Sequence, residues 1–477
     1  MTTMLYPLHE LQRNALKPIA AWSQVIANAL THKLNPWADH AVNRRVAAAY
    51  GLLNRLGKDY EKPTWHLDET VLPDTGEIVK VEVDVVIDKS FCKLLHFRKV
   101  LPSPLKATQP TLLLVAPLSG HHATLLRDTV KSLIGMHEVY VTDWLDAKMV
   151  PVSEGAFHLD DYVAYVIEFI RHLHNQPTSN SGKPSDGVHV ISVCQPTVPV
   201  MAAVSLLSTL KDPAVPRTMI LMGGPIDPRA NPTTVNNLAT RKPLSWFEEN
   251  VIHTVPSNYL GHGRSVYPGF LQHTGFVAMN PDKHLKSHWD YFMDLIQGDE
   301  HDADAHRNFY DEYNAVLDLD ADYYLDTIKI VFQEHRLPKG IWDVIIDGQT
   351  MRVNPADIKN VALFTIEGEL DDISGSGQTQ AAQGLCINIS DEHRQHFTAP
   401  QCGHYGIFSG KRWREVISPK IIAFIQEHHI KVKEKSKKSV KENMKENMKE
   451  TVDLTKDIAT HSTDSDLIAI KNSLDLF

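Results

Sequence analysis

Five short apolar runs, separated by helix-like stretches, constrain this chain more than any other feature. They are TLLLVAP (111–117), HEVYVTDW (137–144), VHVISV (188–193), RTMILMGG (217–224) and VALFTIEGEL (361–370). Strands that alternate with helices predict βαβ units, a parallel sheet and helices on both of its faces. The alternation stops between about residues 229 and 355, where Trp, Tyr, His and amphipathic segments such as DADYYLDTIKIVFQEHR accumulate. An insertion is therefore expected between the fourth and fifth runs. A last helix is expected over 415–429.

Upstream of the sheet runs, VKVEVDVVIDKSFCKLLHFRKV (79–100) alternates in the manner of paired antiparallel strands. Residues 1 to about 60 read as helical. Leu8, Leu11, Ala15, Ile19, Trp22 and Ile26 recur at helical spacing, with Pro18 either kinking the helix or starting a second one. Trp22, Trp37 and Tyr50 are expected to pack against the rest of the chain. The resulting divisions are an N-terminal extension (1–105), a first core part (106–228), an insertion (229–355), a second core part (356–430) and a tail (431–477). The tail is set apart by composition: residues 431–450 hold eight Lys against four Glu, with KENM in tandem. It reads as a solvated segment, with Val440, Met444, Met448 and Val452 as a narrow apolar stripe if helical.

Composition bounds the function. With 477 residues, 43% hydrophobic and 22% charged, the chain can build a sizeable core. A formal net charge of -10 supplies no general basic field for nucleic acid. No apolar run approaches the roughly 20 residues of a membrane-spanning helix, and the N-terminus lacks the pattern of a secretory signal. Cys92, Cys194, Cys386 and Cys402 are too scattered for a disulfide scaffold and suit a reducing cytoplasm.

One of these cysteines carries chemistry. The strand VHVISV runs directly into Cys194 and then into a helix from about Pro196, which is the layout of a nucleophile elbow. The usual signature has glycine two places before and after the nucleophile; here Ser192 and Pro196 stand there. A thiol suits the position, since a helix N-terminus favours thiolate. The backbone N–H of Gln195 would form part of an oxyanion hole, and that of Leu118 or Ser119, just past Pro117, would complete it. Chain order then asks for an acid and a histidine. The strand at 361–370 ends in Asp371 and Asp372, and APQCGHYGIFSG (399–410) offers His404 in a loop before the last helix. Ser119 is an alternative nucleophile in a poorer context. The pair His121-His122 lacks nearby acidic ligands, so no metal site is expected there.

The stretches APLSGHHATLLRDTV, VTDW, HVISVCQPTVPV, MGGPIDPR, VYPGFLQHTGFVAMNP, FYDEYNAVLD, EGELDDISGSGQT and CGHYGIFSGKRWRE closely resemble the intracellular poly(3-hydroxybutyrate) depolymerases. That family is related to the polyhydroxyalkanoate synthases. The resemblance runs from the N-terminus to about residue 428 and does not reach the tail. It implies an α/β-hydrolase fold with a mainly helical cap and an N-terminal helical and strand extension. It also implies a triad of Cys194, His404 and Asp371, the last matched through Asp371-Asp372-Ile373 to the Asp-His-Ile of the synthases. The implied reaction passes through an acyl-thioester enzyme and needs no metal or organic cofactor, with coenzyme A as a second conceivable acyl acceptor. The implied partner is the polymer granule surface, and the implied location is cytoplasmic and granule-associated. Aromatic residues of the cap such as Trp246, Phe270, Phe276 and Trp289 would grip an apolar strand, with core packing as the competing and individually favoured reading of each. Competing readings are a synthase-like acyltransferase, disfavoured by Pro196, a non-catalytic granule protein, and a generic esterase or thioesterase.

Overall fold

The computed structural model describes residues 5–101, 109–176, 187–346 and 348–429. It divides into two units, residues 1–424 and 425–477. Of the second unit, residues 425–429 are described and are helical. The Lys-rich segment and its stripe of Val440, Met444, Met448 and Val452 lie outside the described residues.

A nine-stranded sheet organises the first unit. Its strands are β1 (Glu69–Val71), β2 (Ile78–Asp88), β3 (Cys92–Val100), β4 (Thr111–Val115), β5 (Glu138–Trp144), β6 (Val188–Val193), β7 (Thr218–Met222), β8 (Ala362–Gly368) and β9 (Arg394–Ala399). Their spatial order is 1-2-3-5-4-6-7-8-9. β1 to β3 form an antiparallel meander, and β3 pairs antiparallel with β5. From β5 to β9 all pairings are parallel. Every residue of β6, β7 and β8 is buried, as strands covered on both faces require.

The connections are helical: α3 (Arg127–Leu133) follows β4, α4 (Leu159–Asn175) follows β5 and α5 (Thr197–Thr209) follows β6. After β4 the chain first adds β5 on one side and then returns to add β6 on the other. Such a reversal opens a crevice at the carboxyl ends of the two strands. Leu118 and Cys194 lie just beyond those ends.

The insertion leaves β7 and carries α6 (Thr234–Arg241), α7 (Leu244–Asn250), α8 (Gly269–Met279), α9 (Pro281–Gln297), α10 (Glu300–Tyr313) and α11 (Ala321–Asp326). The last continues into a wider-wound turn over Thr327–Gln333. A small sheet of His253–Thr254, Ser265–Tyr267 and Leu319–Asp320 ties the insertion together. A buried Arg264 anchors it to the core by donating to the carbonyls of Val150, Pro151 and Gly155 while pairing with Asp320 at 2.7 Å.

Two expectations for the N-terminus change. Residues Leu5–Thr31 form a single helix, α1, straight through Pro18. The apolar stripe also faces outward: Leu8, Leu11, Ile19 and Trp22 are exposed, as is Trp37. The buried face holds Tyr6, Glu10, Ala20, Ser23 and Ala27 instead. Packing decides this. α1 lies against α2 (Ala41–Gly57), Asn54 donates to the Ala20 carbonyl at 2.8 Å, and a Cβ on Gly57 would stand 3.3 Å from that of Ala20. Small residues permit that close approach, and the bulky ones are left on the far side.

Candidate active site

The sharp turn after β6 is built by hydrogen bonding and by what its neighbours lack. Cys194 sits at φ +70, a left-handed conformation costing a non-glycine residue about 1–2 kcal/mol. Its N–H donates to the Met222 carbonyl at 2.7 Å, and its own carbonyl accepts from Thr197 N–H at 3.1 Å, starting α5. Pro196, in right-handed helical geometry, fits where no N–H is required. Room for the turn comes from Gly223 and Gly224 at the end of β7. Gly223 has φ +56, and a Cβ there would meet Ile407 Cδ1 at 2.4 Å; one on Gly224 would meet Thr197 Oγ1 at 1.9 Å.

His404 opens a single helical turn, His404–Ile407, beyond β9, and Asp371 follows β8. His404 Nδ1 and Asp371 Oδ2 are 2.7 Å apart, and both side chains are buried. The other Asp371 oxygen accepts from the N–H groups of Ile373 and Ser374, each at 2.9 Å. Cys194 lies near enough to the same imidazole to act on its charge. Burial opposes charge on His404, but Asp371 and Cys194 outweigh it and hold the imidazole well above its usual range. The structure thus brings Cys194, His404 and Asp371 together. Asp372 points elsewhere: it is exposed, and Asn280 donates to it at 3.1 Å.

The four thiols differ in setting. Cys92, Cys386 and Cys402 are buried, and burial raises each of their pKa values, that of Cys386 to about 12. Cys194 is half-exposed.

The loop beyond β4 is clamped from several sides. Ala116 N–H donates to Thr142 Oγ1 at 2.9 Å, and the Ala116 carbonyl accepts from Trp144 Nε1 and the Tyr162 hydroxyl. The Tyr323 hydroxyl donates to the Leu118 carbonyl, and Leu317 N–H to that of Gly120. Among the described residues, the N–H groups of Leu118, Ser119 and Gln195 have no backbone partner.

Leu118, Ser119, Cys194, Gln195 and His404 open on a cavity of about 410 Å³. The insertion supplies much of its apolar lining, including Leu238, Phe247, Phe276, Met279 and Phe332. Of the four cap aromatics singled out in the sequence, only Phe276 lines it. Phe270 packs on Tyr6 and His9 of α1, Trp246 lies edge-on to Phe247, and Trp289 is exposed on α9. Phe270 and Trp246 are drawn off because α1 and a neighbouring cap helix offer apolar partners that spacing alone does not reveal.

His121 lines the cavity and stacks on Phe276 at 5.0 Å. Burial lowers its pKa to about 4, so it is neutral, with Nε2 against the Tyr313 carbonyl. His122 faces a separate, more polar cavity that Lys62 and Lys148 also line. No group of three or more His, Cys, Asp or Glu among the described residues is arranged to hold a metal. No described helix is long and apolar enough to cross a membrane.

Tyr323, Gly223 and Gly224 escaped the sequence reading. The Gly-Gly pair directly after an apolar strand was a visible signal for close backbone approach. Tyr323 left none, since its partner is distant in sequence.

A mostly parallel sheet with a sharp strand-to-helix turn after β6, and with Asp371 and His404 after two later strands, has the layout of an α/β hydrolase. Comparison with known families makes this more particular. Residues 223–429 match the family described as PHB de-polymerase C-terminus. The matched region contains the insertion, Asp371 and His404. Comparison with curated proteins gave no match. Solved structures similar to the chain include 2-hydroxy-6-oxo-6-phenylhexa-2,4-dienoate hydrolase from Rhodococcus sp. strain RHA1. It is 12% identical with a TM-score of 0.41, over 73% of this chain and 99% of that one. A hydrolase from Pseudomonas aeruginosa PA01 is 12% identical with a TM-score of 0.40, over 72% and 98%. A carboxylesterase structure from Nitrososphaera gargenis is 10% identical with a TM-score of 0.36, over 75% and 99%.

Proposed function

We propose that this chain cleaves the ester bonds of poly(3-hydroxybutyrate) or a close polyester, with Cys194 as nucleophile. The observation that carries the reading is the grouping of Cys194 with the hydrogen-bonded pair His404 and Asp371 at an apolar cavity. The family match over residues 223–429 supports the substrate class.

In this reading His404 takes the proton of Cys194 or pairs with it as imidazolium, the charge on the ring stabilised by Asp371. The sulfur attacks the ester carbonyl, and the oxygen of the tetrahedral intermediate takes hydrogen bonds from the Gln195 N–H and from an N–H of the 117–119 loop. Collapse breaks the carbon–oxygen bond, and His404 protonates the departing alcohol. Water, deprotonated by the now neutral His404, then attacks the thioester and releases the acid, freeing the Cys194 sulfur beside the protonated ring. A coenzyme A thiol would enter at the same step. The apolar lining suits a polyester strand that offers methyl groups and ester oxygens without charge. Action at the surface of a storage granule follows from such a substrate.

The test is release of 3-hydroxybutyrate species from amorphous polymer granules by the full chain, by Cys194→Ala, and by both with coenzyme A added. Loss of release in Cys194→Ala supports the nucleophile, and dependence on coenzyme A identifies the acyl acceptor. Equal release by both proteins overturns the assignment of Cys194. Granule binding without release by either overturns the enzymatic reading.

A further inference from the structure

The insertion reaches the catalytic machinery through one buried hydroxyl. Tyr323, on α11, is 1% exposed and lines the same cavity as Cys194. Its O–H donates to the carbonyl of Leu118 at 3.0 Å. The peptide joining Leu118 to Ser119 is trans, so its N–H, that of Ser119, points opposite to the carbonyl that Tyr323 holds. Fixing the carbonyl therefore fixes the direction of the Ser119 N–H. Accepting a hydrogen bond at the carbonyl also polarises the amide and makes its N–H a stronger donor.

The neighbouring peptides are already pinned. The Ala116 carbonyl takes two donors, Trp144 Nε1 at 2.9 Å and the Tyr162 hydroxyl at 3.1 Å, and the Gly120 carbonyl takes Leu317 N–H at 2.7 Å. Between these anchors, Tyr323 alone holds the Leu118–Ser119 peptide among the described residues. The Tyr162 and Tyr323 rings lie nearly parallel, 17° apart with centroids 5.9 Å apart. Burial keeps the Tyr323 phenol protonated and hence a donor.

We propose that Tyr323 is a positioning residue. Its hydroxyl aims the Ser119 N–H at the oxyanion formed on the Cys194-bound substrate, so the insertion completes the oxyanion hole as well as the cavity. Of the two N–H groups that the sequence nominates, those of Leu118 and Ser119, the bond selects Ser119. The proposal rests on the ester-cleaving reading above.

The experiment compares two reactions of Cys194 in the full chain and in Tyr323→Phe. Hydrolysis of p-nitrophenyl butyrate passes through an oxyanion. Alkylation by iodoacetamide forms the sulfur–carbon bond as iodide departs, with no oxyanion. The expected result for Tyr323→Phe is a kcat lower by about tenfold with KM within about twofold, while alkylation slows by less than about twofold. An unchanged kcat overturns the proposal, as does an equal fall in both reactions, which indicates general damage to the site. Replacement of Tyr323 by 3,5-difluorotyrosine, a stronger donor of similar shape, guards against a folding defect. It is expected to retain or raise kcat, and a fall matching that of the Phe variant counts against the proposal. A wild-type chain that neither hydrolyses the ester nor alkylates at Cys194 overturns the ester-cleaving reading itself.

Discussion

A Cβ placed on Gly224 would stand 2.3 Å from the carbonyl oxygen of Cys194. The end of β7 and the turn after β6 are thus fitted to each other through a missing side chain. Gly224→Ala is expected to lower kcat/KM at least a hundredfold and to destabilise the protein by about 1–3 kcal/mol, the usual penalty of overpacking. Gly384→Ala is the control, because nothing lies within 4 Å of its added Cβ. It lies in a short helix, Ala381–Leu385, and should leave activity unchanged while raising stability slightly. Ester turnover and thermal melting of both variants check the pair.

Asp371 and Asp372 are adjacent in sequence but not in chemistry. Asp371→Asn should cost at least a hundredfold in kcat, because the amide no longer stabilises the imidazolium or fixes its tautomer. Asp372→Asn, at an exposed side chain bonded to Asn280, should change kcat by less than about twofold. Rates on a soluble ester decide between the two carboxylates.

Acid should destabilise the fold through His121 and His122. Burial lowers their pKa values to about 4 and about 3, with Lys62 and Lys148 adding to the shift at His122. Below the unfolded value of about 6.5, the unfolded chain binds protons that the folded chain refuses. Stability therefore falls as pH drops from about 6.5 toward 4, by up to about 1.4 kcal/mol per pH unit for each ring. Denaturant unfolding at pH 7 and pH 5 should show a smaller drop for the double variant His121→Gln, His122→Gln.

The outward stripe of α1 makes a prediction about stability. Ile19→Ser and Trp22→Ser, at side chains 52% and 68% exposed, should each shift stability by less than about 0.5 kcal/mol. Ala20→Leu, against Gly57, should cost about 1–3 kcal/mol. Melting temperatures that reverse this order would place the stripe inside.

Much of the architecture was legible because it rests on local patterns. Runs such as VHVISV announce a strand buried on both faces, and the grouping of Cys194, Asp371 and His404 could be read because chain order and element type agree around them. β9 was missed: RQHFTA is short, polar and only partly buried, as an edge strand can be. The facing of α1 was misread for a different reason. Periodicity locates a stripe but cannot say whether bulky or small residues meet the neighbouring helix. Asp371 could be matched from the acidic strand end, whereas the role suggested for Tyr323 depends on a contact with Leu118 that no local pattern encodes.

β7 and β8 are hydrogen-bonded neighbours, from Thr218 opposite Ala362 to Met222 opposite Ile366. The entire insertion is thus spliced between adjacent rungs of one ladder, and no strand pairing within the large sheet passes through it. Its length and lining can drift while the scaffold that carries Cys194, Asp371 and His404 keeps its register. Cavity lining and scaffold are therefore separately adjustable: exchanging this one piece would re-line the cavity over Cys194 without touching the ladder beneath it.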